Sequence, residues 1–339
     1  MISLSRLEQQ VARFPDRTIG LIGDLFLDRY LHLAAGVYET SLETSLEAFQ
    51  IDQVRNVPGA LGTVMNNLAA LGVGCLVPIT VLGNDGHGYD LLGALQSIPV
   101  DQSHIIQHPG RLTPTYTKPL RLTDSGALEE LNRLDIRSRE PLGQQAANEV
   151  CDRLSQTFDK VDGWIVLDQV NEPEWGVVNH QVRETLVRLH RANPEKLIFV
   201  DSRAQIGQFS CGVLKGNQAE LTAAAETSGD AMEDAIEALM AKTGQPVFCT
   251  QGAEGISVGC PEGRLIRVPG HPVNGPVDIV GAGDSVTAAV VASLTSEATL
   301  KEAAEIGCLV ASITVQQLGT TGTATPEQVV LRWRECGPA

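Results

Sequence analysis

The chain has 339 residues, of which 43% are hydrophobic and 19% are charged, a composition typical of globular rather than disordered proteins. Acidic residues outnumber basic ones by 41 to 25, giving a formal charge of −16, which argues against binding to nucleic acid or to an anionic membrane surface. We find no apolar run long enough to span a membrane, and the seven cysteines are scattered, so we expect a cytoplasmic protein with free thiols and no structural zinc.

Apolar runs rich in β-branched residues alternate with stretches of helical periodicity along most of the chain. This alternation predicts an α/β fold with a doubly wound, mostly parallel sheet that is covered by helices on both faces, in a single domain over residues 1–339. The predicted strands of this sheet are 17–23, 75–83, 163–168, 196–201, 212–217 and 247–252.

Two segments, 29–57 and 111–135, interrupt this order with short alternating stretches such as "EAFQIDQV" and "TYTKPLRL". They predict antiparallel strands outside the main sheet, which would form a small β lid over one end of it. The alternative is a pair of long surface loops. A lid would present open strand edges, so we expect a homodimer that covers them.

Candidate site residues follow the predicted strands, where open α/β sheets bind ligands. "GDLFLDRY" places Asp24 and Asp28 after the first strand, where both could accept hydrogen bonds from hydroxyl groups. Alternatively, Asp24 is a cap and Asp28 forms a surface pair with Arg29. "PGALGTVMNNLAALG" brings Gly59 to a turn before a helix, which favours close approach of a ligand or simply entry into the helix.

Two later strings suggest a nucleotide site. "KGNQAEL" puts Asn217 and Glu220 three residues apart, a spacing suited to a hydrated Mg²⁺ ion or to a reciprocal helix cap. "TQGAEG" contains Thr250, Gly252 and Gly255, which would let backbone lie against a nucleotide or would form an ordinary hairpin turn.

The string "VDIVGAGDSV" contains the strongest signal, two glycines directly before Asp284 at a predicted helix start. One interpretation is that Asp284 caps the helix. The other is an anion site, in which the backbone amides of Gly281, Ala282 and Gly283 face a phosphate and Asp284 is a general base for phosphoryl transfer.

Taken in order from Gly23 to about Thr320, these strings resemble the ribokinase-like (PfkB) family of carbohydrate kinases, whose D-x-x-G-A-G-D signature is similar to "DIVGAGD". The segments "GDLFLDRY", "SLETSLEAF", "TKPLRL" and "LNRLD" resemble the heptose 7-phosphate kinase branch. The resemblance implies a ribokinase-like three-layer fold and transfer of the γ-phosphate of ATP to a hydroxyl of a sugar or sugar phosphate.

The resemblance also implies roles for individual residues. Asp284 would be the catalytic base, and the amides of Gly281, Ala282 and Gly283 would stabilise the transferring group. Asn217 and Glu220 would hold Mg²⁺ through water. The nucleotide site would be lined by Thr250, Gly252, Gly255 and Cys308, and the sugar site by Asp24, Asp28, Gly59 and Thr63.

Three further positions depend on the resemblance and on charge. Lys118 and Arg121, on the predicted lid, would meet a phosphate that the sugar already carries. Asp278 would lie near a monovalent cation such as K⁺.

The chain departs from the family pattern at Ala60, where a second glycine is usual, at Thr63, where an asparagine is common, and at Cys308, where many members have asparagine. Two alternatives therefore stay open: a ribokinase, fructokinase or nucleoside kinase that takes an unphosphorylated substrate, and a non-catalytic nucleotide-binding scaffold.

Overall fold

The computed structural model describes residues 1–123, 125–225 and 232–336. Its strands are β1 (Thr18–Gly23), β2 (Leu25–Leu33), β3 (Ile51–Ala60), β4 (Cys75–Gly83), β5 (Ile105–His108), β6 (Thr115–Leu122), β7 (Leu128–Glu130), β8 (Leu134–Ile136), β9 (Gly163–Asp168), β10 (Leu197–Ser202), β11 (Val213–Asn217), β12 (Val247–Thr250), β13 (Gly255–Cys260) and β14 (Arg264–Pro269). Its helices are α1 (Leu4–Val11), α2 (Leu61–Ala70), α3 (Gly86–Ala94), α4 (Gln144–Thr157), α5 (His180–Ala192), α6 (Gln218–Ala225), α7 (Met232–Thr243), α8 (Ala282–Thr295), α9 (Leu300–Thr314) and α10 (Pro326–Cys336).

The main sheet has nine strands within the described residues, in the order β14-β13-β12-β11-β10-β9-β1-β4-β5. The strands from β12 to β5 in this order run parallel, and β13 and β14 extend the β12 edge by antiparallel pairing. Because the carboxyl ends of parallel strands meet at one edge, the residues after β1, β9, β10 and β11 lie together there.

Helices cover both faces of this sheet, and the side chains of each strand alternate between two hydrophobic cores. On β1, Leu21 belongs to the core that includes α2, α8 and α9, whereas Ile22 belongs to the core that includes α4, α5 and α7. Both residues are fully buried. Burial on both faces explains why the strands are almost continuously apolar, and it confirms the predicted three-layer α/β fold.

Helix α8 is the element that carries the GAGD string, and its residues from Ser285 to Ser293 are all buried. It packs against α2 and α9. The start of α9 is fixed by a capping box between Thr299 and Glu302. A helix enclosed in this way has little freedom to shift, so its first turn is held in a fixed position above the sheet.

A second sheet forms the lid, in the order β3-β2-β6-β7, with β8 also pairing with β6. Its strands extend beyond the predicted segments, since β2 begins at Leu25 and β3 ends at Ala60. The expectation of antiparallel pairing throughout is wrong for β2 and β6, which pair in parallel. They do so because the chain between them passes back through the main sheet and returns to the same end. Asp124, within the predicted lid segment, lies outside the described residues.

All six predicted strands of the main sheet are present, with ends that differ by at most two residues. Strands β5, β13 and β14 were not predicted, because short strands at the edge of a sheet lack the continuous apolar pattern of central ones. In the described ranges, no helix combines the length and the apolarity that crossing a membrane requires. All seven cysteines are free thiols.

Candidate active site

Helix α8 begins directly after Gly281, which is its N-cap and has φ 80° and ψ 0°. Glycine adopts this left-handed backbone without steric cost. The amide of Ala282 donates a hydrogen bond to the carbonyl of Ile279 at 3.1 Å. The amides of Gly283 and Asp284 have no acceptor among the described residues, so the helix start presents two unused donors, as an anion site requires.

Asp284 is the third residue of α8, and no side chain caps this helix. The alternative that Asp284 is a helix cap therefore does not hold in this structure. Asp284 as a whole residue is partly exposed at the carboxyl edge of the sheet, although its surroundings largely desolvate the carboxyl group.

Two buried residues of opposite charge lie beneath the start of α8. Lys215 Nζ is 2.7 Å from Asp201 Oδ2, and their side chains are only 6% and 8% exposed. Thr287 of α8 donates to the same carboxylate oxygen at 2.8 Å. A Cβ atom on Gly283 would lie 3.1 Å from Lys215 Nζ. The ammonium group therefore comes close to the helix start because residue 283 has no side chain.

The electrostatic environment of this cluster tunes Asp284. Burial, and then the nearby charge of Asp201, raise the pKa of Asp284 to about 7, while Lys215 opposes the rise. Burial alone would lower the pKa of Lys215, but Asp201, Asp284 and Glu220 together raise it, so the amine stays protonated. A carboxyl group that changes protonation near neutral pH suits general-base chemistry.

Asn217 and Glu220 form the reciprocal cap that was one of the two interpretations of their spacing. The Asn217 amide donates to Glu220 Oε2 at 2.7 Å, and the Glu220 amide donates to Asn217 Oδ1 at 2.9 Å. Glu220 Oε1 has no hydrogen bond among the described residues and remains available. No group of three or more acidic, histidine or cysteine side chains suited to a metal ion occurs in the described part of the chain.

The other residues expected at the nucleotide site differ in location: three lie at the edge of the sheet, and one lies in the hydrophobic core. Thr250 ends β12, and its hydroxyl approaches the carbonyl of Gly216 at 3.4 Å. Gly252 and Gly255 bound the turn between β12 and β13 at the same edge of the sheet. Cys308, in contrast, is buried in the core, where burial raises the pKa of its thiol to about 12. It has little surface to offer a nucleotide.

Asp278 lies in the loop before α8, where its two carboxylate oxygens accept hydrogen bonds from two backbone amides. Val280 donates to Oδ1 at 3.0 Å, and Gly319 donates to Oδ2 at 3.1 Å. The residue therefore ties the loop before α8 to the segment after α9. Any cation near it would depend on backbone carbonyl groups as well.

Asp24 has a different task from the one expected. Its buried carboxylate accepts hydrogen bonds from the amides of Gln169 at 3.0 Å, Val170 at 3.3 Å and Val177 at 2.8 Å. Burial raises its pKa despite these bonds. Asp24 thus anchors the segment between β9 and α5, and few of its lone pairs are left for a sugar hydroxyl.

Asp28 lies on the lid, where it pairs with Lys118 rather than with Arg29. Lys118 Nζ is 2.8 Å from Asp28 Oδ1 and 3.3 Å from the hydroxyl of Tyr30. A Cβ atom on Gly59 would lie 2.4 Å from Asp28 Oδ2. The glycine before α2 therefore makes room for this carboxylate, a reason for Gly59 that its sequence context alone did not give.

The start of α2 connects the lid to α8. Thr63 is buried, and its methyl carbon is 3.4 Å from where a Cβ atom on Gly281 would be. Ala60, the N-cap of α2, has φ 52° and ψ −113°. This backbone region is costly for any residue except glycine. The departure from glycine at Ala60 thus introduces strain at the site.

Arg121 is on the outer part of the lid, where both oxygens of Glu47 accept from its Nη2 at 2.9 Å. Its guanidinium group also lies over the ring of Phe49. The pair joins the two lid segments. Glu47 thus neutralises the charge of Arg121, which was expected to meet a phosphate.

Among the predicted residues, the structure thus places Asp284, Gly283, Thr63, Asn217 and Glu220 around one edge of the sheet, with Asp28 and Gly59 at the adjoining lid. Sequence reasoning missed Lys215 and Asp201. The available signal was a lysine inside the buried strand "VLKGN", because a charged residue in such a strand requires a partner.

Comparison with known proteins agrees with this geometry. Residues 191–328 match the pfkB family carbohydrate kinases. The bifunctional protein HldE of Trichlorobacter lovleyi is 29% identical over 316 residues, covering 91% of this chain and 61% of that protein. The bifunctional protein HldE of Paramagnetospirillum magneticum is 27% identical over 341 residues, covering 99% of this chain and 67% of that protein. The chain thus spans about three fifths to two thirds of the length of these relatives.

Solved structures share the fold at low sequence identity. A putative ribokinase II from Escherichia coli, in complex with ATP and Mg²⁺, has a TM-score of 0.68 and 17% identity, covering 94% of this chain and 99% of that one. Phosphofructokinase-2 from Escherichia coli, in complex with potassium, has a TM-score of 0.68 and 19% identity, covering 95% and 99%. The similarity confirms the predicted ribokinase-like fold.

Proposed function

Because the chain carries a domain of the PfkB family of carbohydrate kinases, we propose that it transfers the γ-phosphoryl group of ATP to a hydroxyl group of a sugar phosphate. A heptose 7-phosphate is the first substrate to test, given the likeness to proteins named HldE. The two amides and the carboxyl group at the start of α8, above a buried lysine, carry this proposal.

The proposed step requires a base and a site for negative charge. The sugar oxygen attacks the γ-phosphorus, and the bond between the γ-phosphorus and the bridging oxygen of ADP breaks. The proton of the sugar hydroxyl moves to the carboxylate of Asp284. The unused amides of Gly283 and Asp284, with the charge of Lys215 behind them, stabilise the transferring group. These groups lie together at the start of α8, which supports the proposal.

The nucleotide and its ions would bind beside this step. The free Oε1 of Glu220 and the side-chain Oδ1 of Asn217 form a partly exposed pair of oxygen ligands, which suits Mg²⁺ with retained water. The ion would neutralise charge on the phosphates of ATP. Potassium near Asp278 is supported by the complex of phosphofructokinase-2 with that ion and by the position of Asp278 directly before the anion site.

The lid supports further proposals about assembly. Many of its large apolar side chains are exposed, among them Tyr38, Leu42, Leu46, Leu128 and Leu134. A homodimer through the lids would cover them and the edge strand β7. Light scattering at micromolar concentration tests this, and a clean monomer of 36.2 kDa would contradict it. We also propose that residues 1–339 form a single domain. A location in the cytoplasm is a further proposal, which the free cysteines support.

The function is tested by measuring ADP release with Mg-ATP over a panel of sugars and sugar phosphates. We expect turnover with at least one sugar phosphate, and turnover roughly 10²- to 10⁴-fold lower in Asp284→Asn. Turnover of unphosphorylated sugars alone would favour a ribokinase-like or fructokinase-like activity. No turnover with any acceptor, together with tight ATP binding, would favour the scaffold alternative.

A further inference from the structure

A pocket lies beside the lid, and no residue of α8 lines it. It has a volume of about 80 Å³ and is formed where the chain leaves β1, β9 and β10 and enters β6. Its lining includes Asp24, Phe26, Arg111, Tyr116, Arg137 and Arg203. Three arginines and one aspartate thus line the pocket, with Glu172 paired to Arg137 at its rim, in a chain whose net charge is −16. Such a local excess of positive charge indicates an anionic ligand.

The three arginines differ in how their charge is balanced. Arg111 donates to the carbonyl groups of Glu140 at 3.1 Å and Trp175 at 2.8 Å, and it contacts no carboxylate within the described residues. Arg137 is 3.2 Å from Glu172 at the exposed rim. The side chain of Arg203 is exposed and has neither an ion pair nor a hydrogen bond to any described residue. Arg203 is therefore the group most available to a ligand.

Tyr116 is surrounded by these charges. Burial raises the pKa of its hydroxyl, and Asp135 adds to the rise, whereas Arg133, Arg137 and Arg203 act in the opposite direction. Arg133 is held by Asp135, which accepts from it at 2.7 and 2.8 Å. The charges of Arg137 and Arg203 thus both act on the hydroxyl group of Tyr116.

The pocket adjoins the lid position expected for the sugar. Phe26 lines it, and Asp28 is the next residue on the same face of β2, about 7 Å further along the strand. Tyr116 pairs with Asp28 across β2 and β6. A ligand whose sugar hydroxyls reach Asp28 can therefore extend an anionic end into the arginine pocket.

We propose that this arginine pocket, with Arg203 as its principal ligand group, binds the phosphate that the sugar substrate already carries. The inference deepens the proposed function and rests on it. The arginine pocket replaces Lys118 and Arg121 as the expected phosphate site, because those two residues form ion pairs with Asp28 and Glu47. A phosphate monoester carries about −1.5 to −2 charges at neutral pH, and here it would meet the unpaired charge of Arg203 together with Arg111, which contacts no carboxylate within the described residues. Guanidinium groups also suit its oxygens because they donate two hydrogen bonds in a fixed fork.

The test measures binding without ATP, by titration calorimetry at fixed ionic strength. The probes are ribose 5-phosphate, fructose 6-phosphate, D-glycero-D-manno-heptose 7-phosphate, the three corresponding unphosphorylated sugars, and glucuronate. Arg203→Ala is compared with Arg203→Lys. The control is Arg264→Ala, which removes an exposed arginine from the start of β14, an edge strand of the main sheet that does not line the pocket. Melting temperatures verify that each variant folds.

We expect the wild-type protein to bind at least one sugar phosphate more tightly than its parent sugar. Arg203→Ala should weaken that binding about 10- to 100-fold, the usual effect of losing charge-assisted hydrogen bonds, with no change for the parent sugar. The affinity of Arg203→Lys for the sugar phosphate should lie between those of wild type and Arg203→Ala, and Arg264→Ala should bind like wild type. The proposal is overturned if Arg203→Ala binds the sugar phosphate normally, if no sugar phosphate is preferred, or if glucuronate is the ligand whose binding depends on Arg203.

These outcomes are separable from failure of the proposed kinase activity. If binding depends on Arg203 but the wild-type protein releases no ADP with any acceptor, the phosphate site stands and the kinase proposal fails. If the protein phosphorylates sugars and Arg203→Ala changes neither binding nor KM for the acceptor, the kinase proposal stands and the phosphate site fails.

Discussion

The start of α8 and the arginine pocket beside the lid hold their charges in opposite ways. Beneath α8, Lys215 and Asp201 are buried in direct contact, and Thr287 bonds to the same carboxylate. Beside the lid, Arg203 is exposed and makes no ion pair with the described residues. A buried pair is rigid because either partner alone would be an uncompensated charge, whereas an exposed arginine can adjust at little cost. The first arrangement suits chemistry, and the second suits recognition.

The rigid end is tested most severely by Asp284→Asn. The amide cannot take the proton of the hydroxyl group, so turnover should fall by roughly 10²- to 10⁴-fold. Because Asp284 is not the cap of α8, the melting temperature should stay near that of wild type, and ATP affinity should be equal or higher after a negative charge is removed. ADP release, thermal melting and ATP titration measure these three quantities. Retained turnover in a folded variant would contradict the assignment.

The buried pair itself is tested by Lys215→Met. Asp201 would be left without its countercharge, so the free energy of unfolding should fall by about 3–5 kcal/mol, as for other broken buried pairs. Urea unfolding measures the loss. The double variant Lys215→Met/Asp201→Leu should recover much of it, since no buried charge then remains. A loss below about 1 kcal/mol in the single variant would mean that the pair is solvated in solution.

The pH dependence of the reaction sharpens the comparison further. Since the pKa of Asp284 is about 7, kcat/KM should rise with pH through that value and be about 100-fold lower at pH 5 than on the plateau. Arg203→Ala should keep this profile, because the residue lies at the recognition end. A flat profile between pH 5 and 8 would argue against Asp284 as the base.

Stability should change with pH in the opposite sense. Asp168 is buried at the end of β9, where burial and Asp24 raise its pKa to about 7, against about 3.9 in an unfolded chain. The protonated form therefore favours the folded state, and its contribution is complete below about pH 4 and is lost as the pH rises through 7. Urea unfolding of wild type and Asp168→Asn at pH 5 and 7 measures this. The variant should lose less stability than wild type between the two values.

The smallest effect concerns the strained backbone at Ala60, directly before α2. Ala60→Gly should relieve about 1–3 kcal/mol of backbone strain and cost about 0.4–1 kcal/mol through the unfolded chain, a net change between about zero and a gain of about 2.6 kcal/mol. Ala69→Gly, within α2, is the matched control and should lose about 1 kcal/mol. Equal losses in both variants would show that Ala60 is not strained.

The parts of this site that could be predicted from sequence are those formed by residues close together in the chain. The GAGD turn and the first turn of α8 are set by adjacent residues, and the cap between Asn217 and Glu220 spans three positions, so their possibilities were visible in short strings. The partners of charged side chains were not visible. Arg121 meets Glu47 across 74 positions, and Asp24 meets Val177 across 153. Such pairs depend on the completed topology, which sequence spacing does not encode.

The parallel pairing of β2 with β6 also bears on the order in which the chain folds. Tyr30 and Lys118, neighbours across these strands, are 88 positions apart, and the intervening chain contributes α2, β4, α3 and β5 to the body of the molecule. Closing so long a segment is unfavourable until the body has formed. We therefore expect the lid to fold last. Its outer strand β7 has only three residues, all exposed, so hydrogen exchange should begin there while the central strands remain protected.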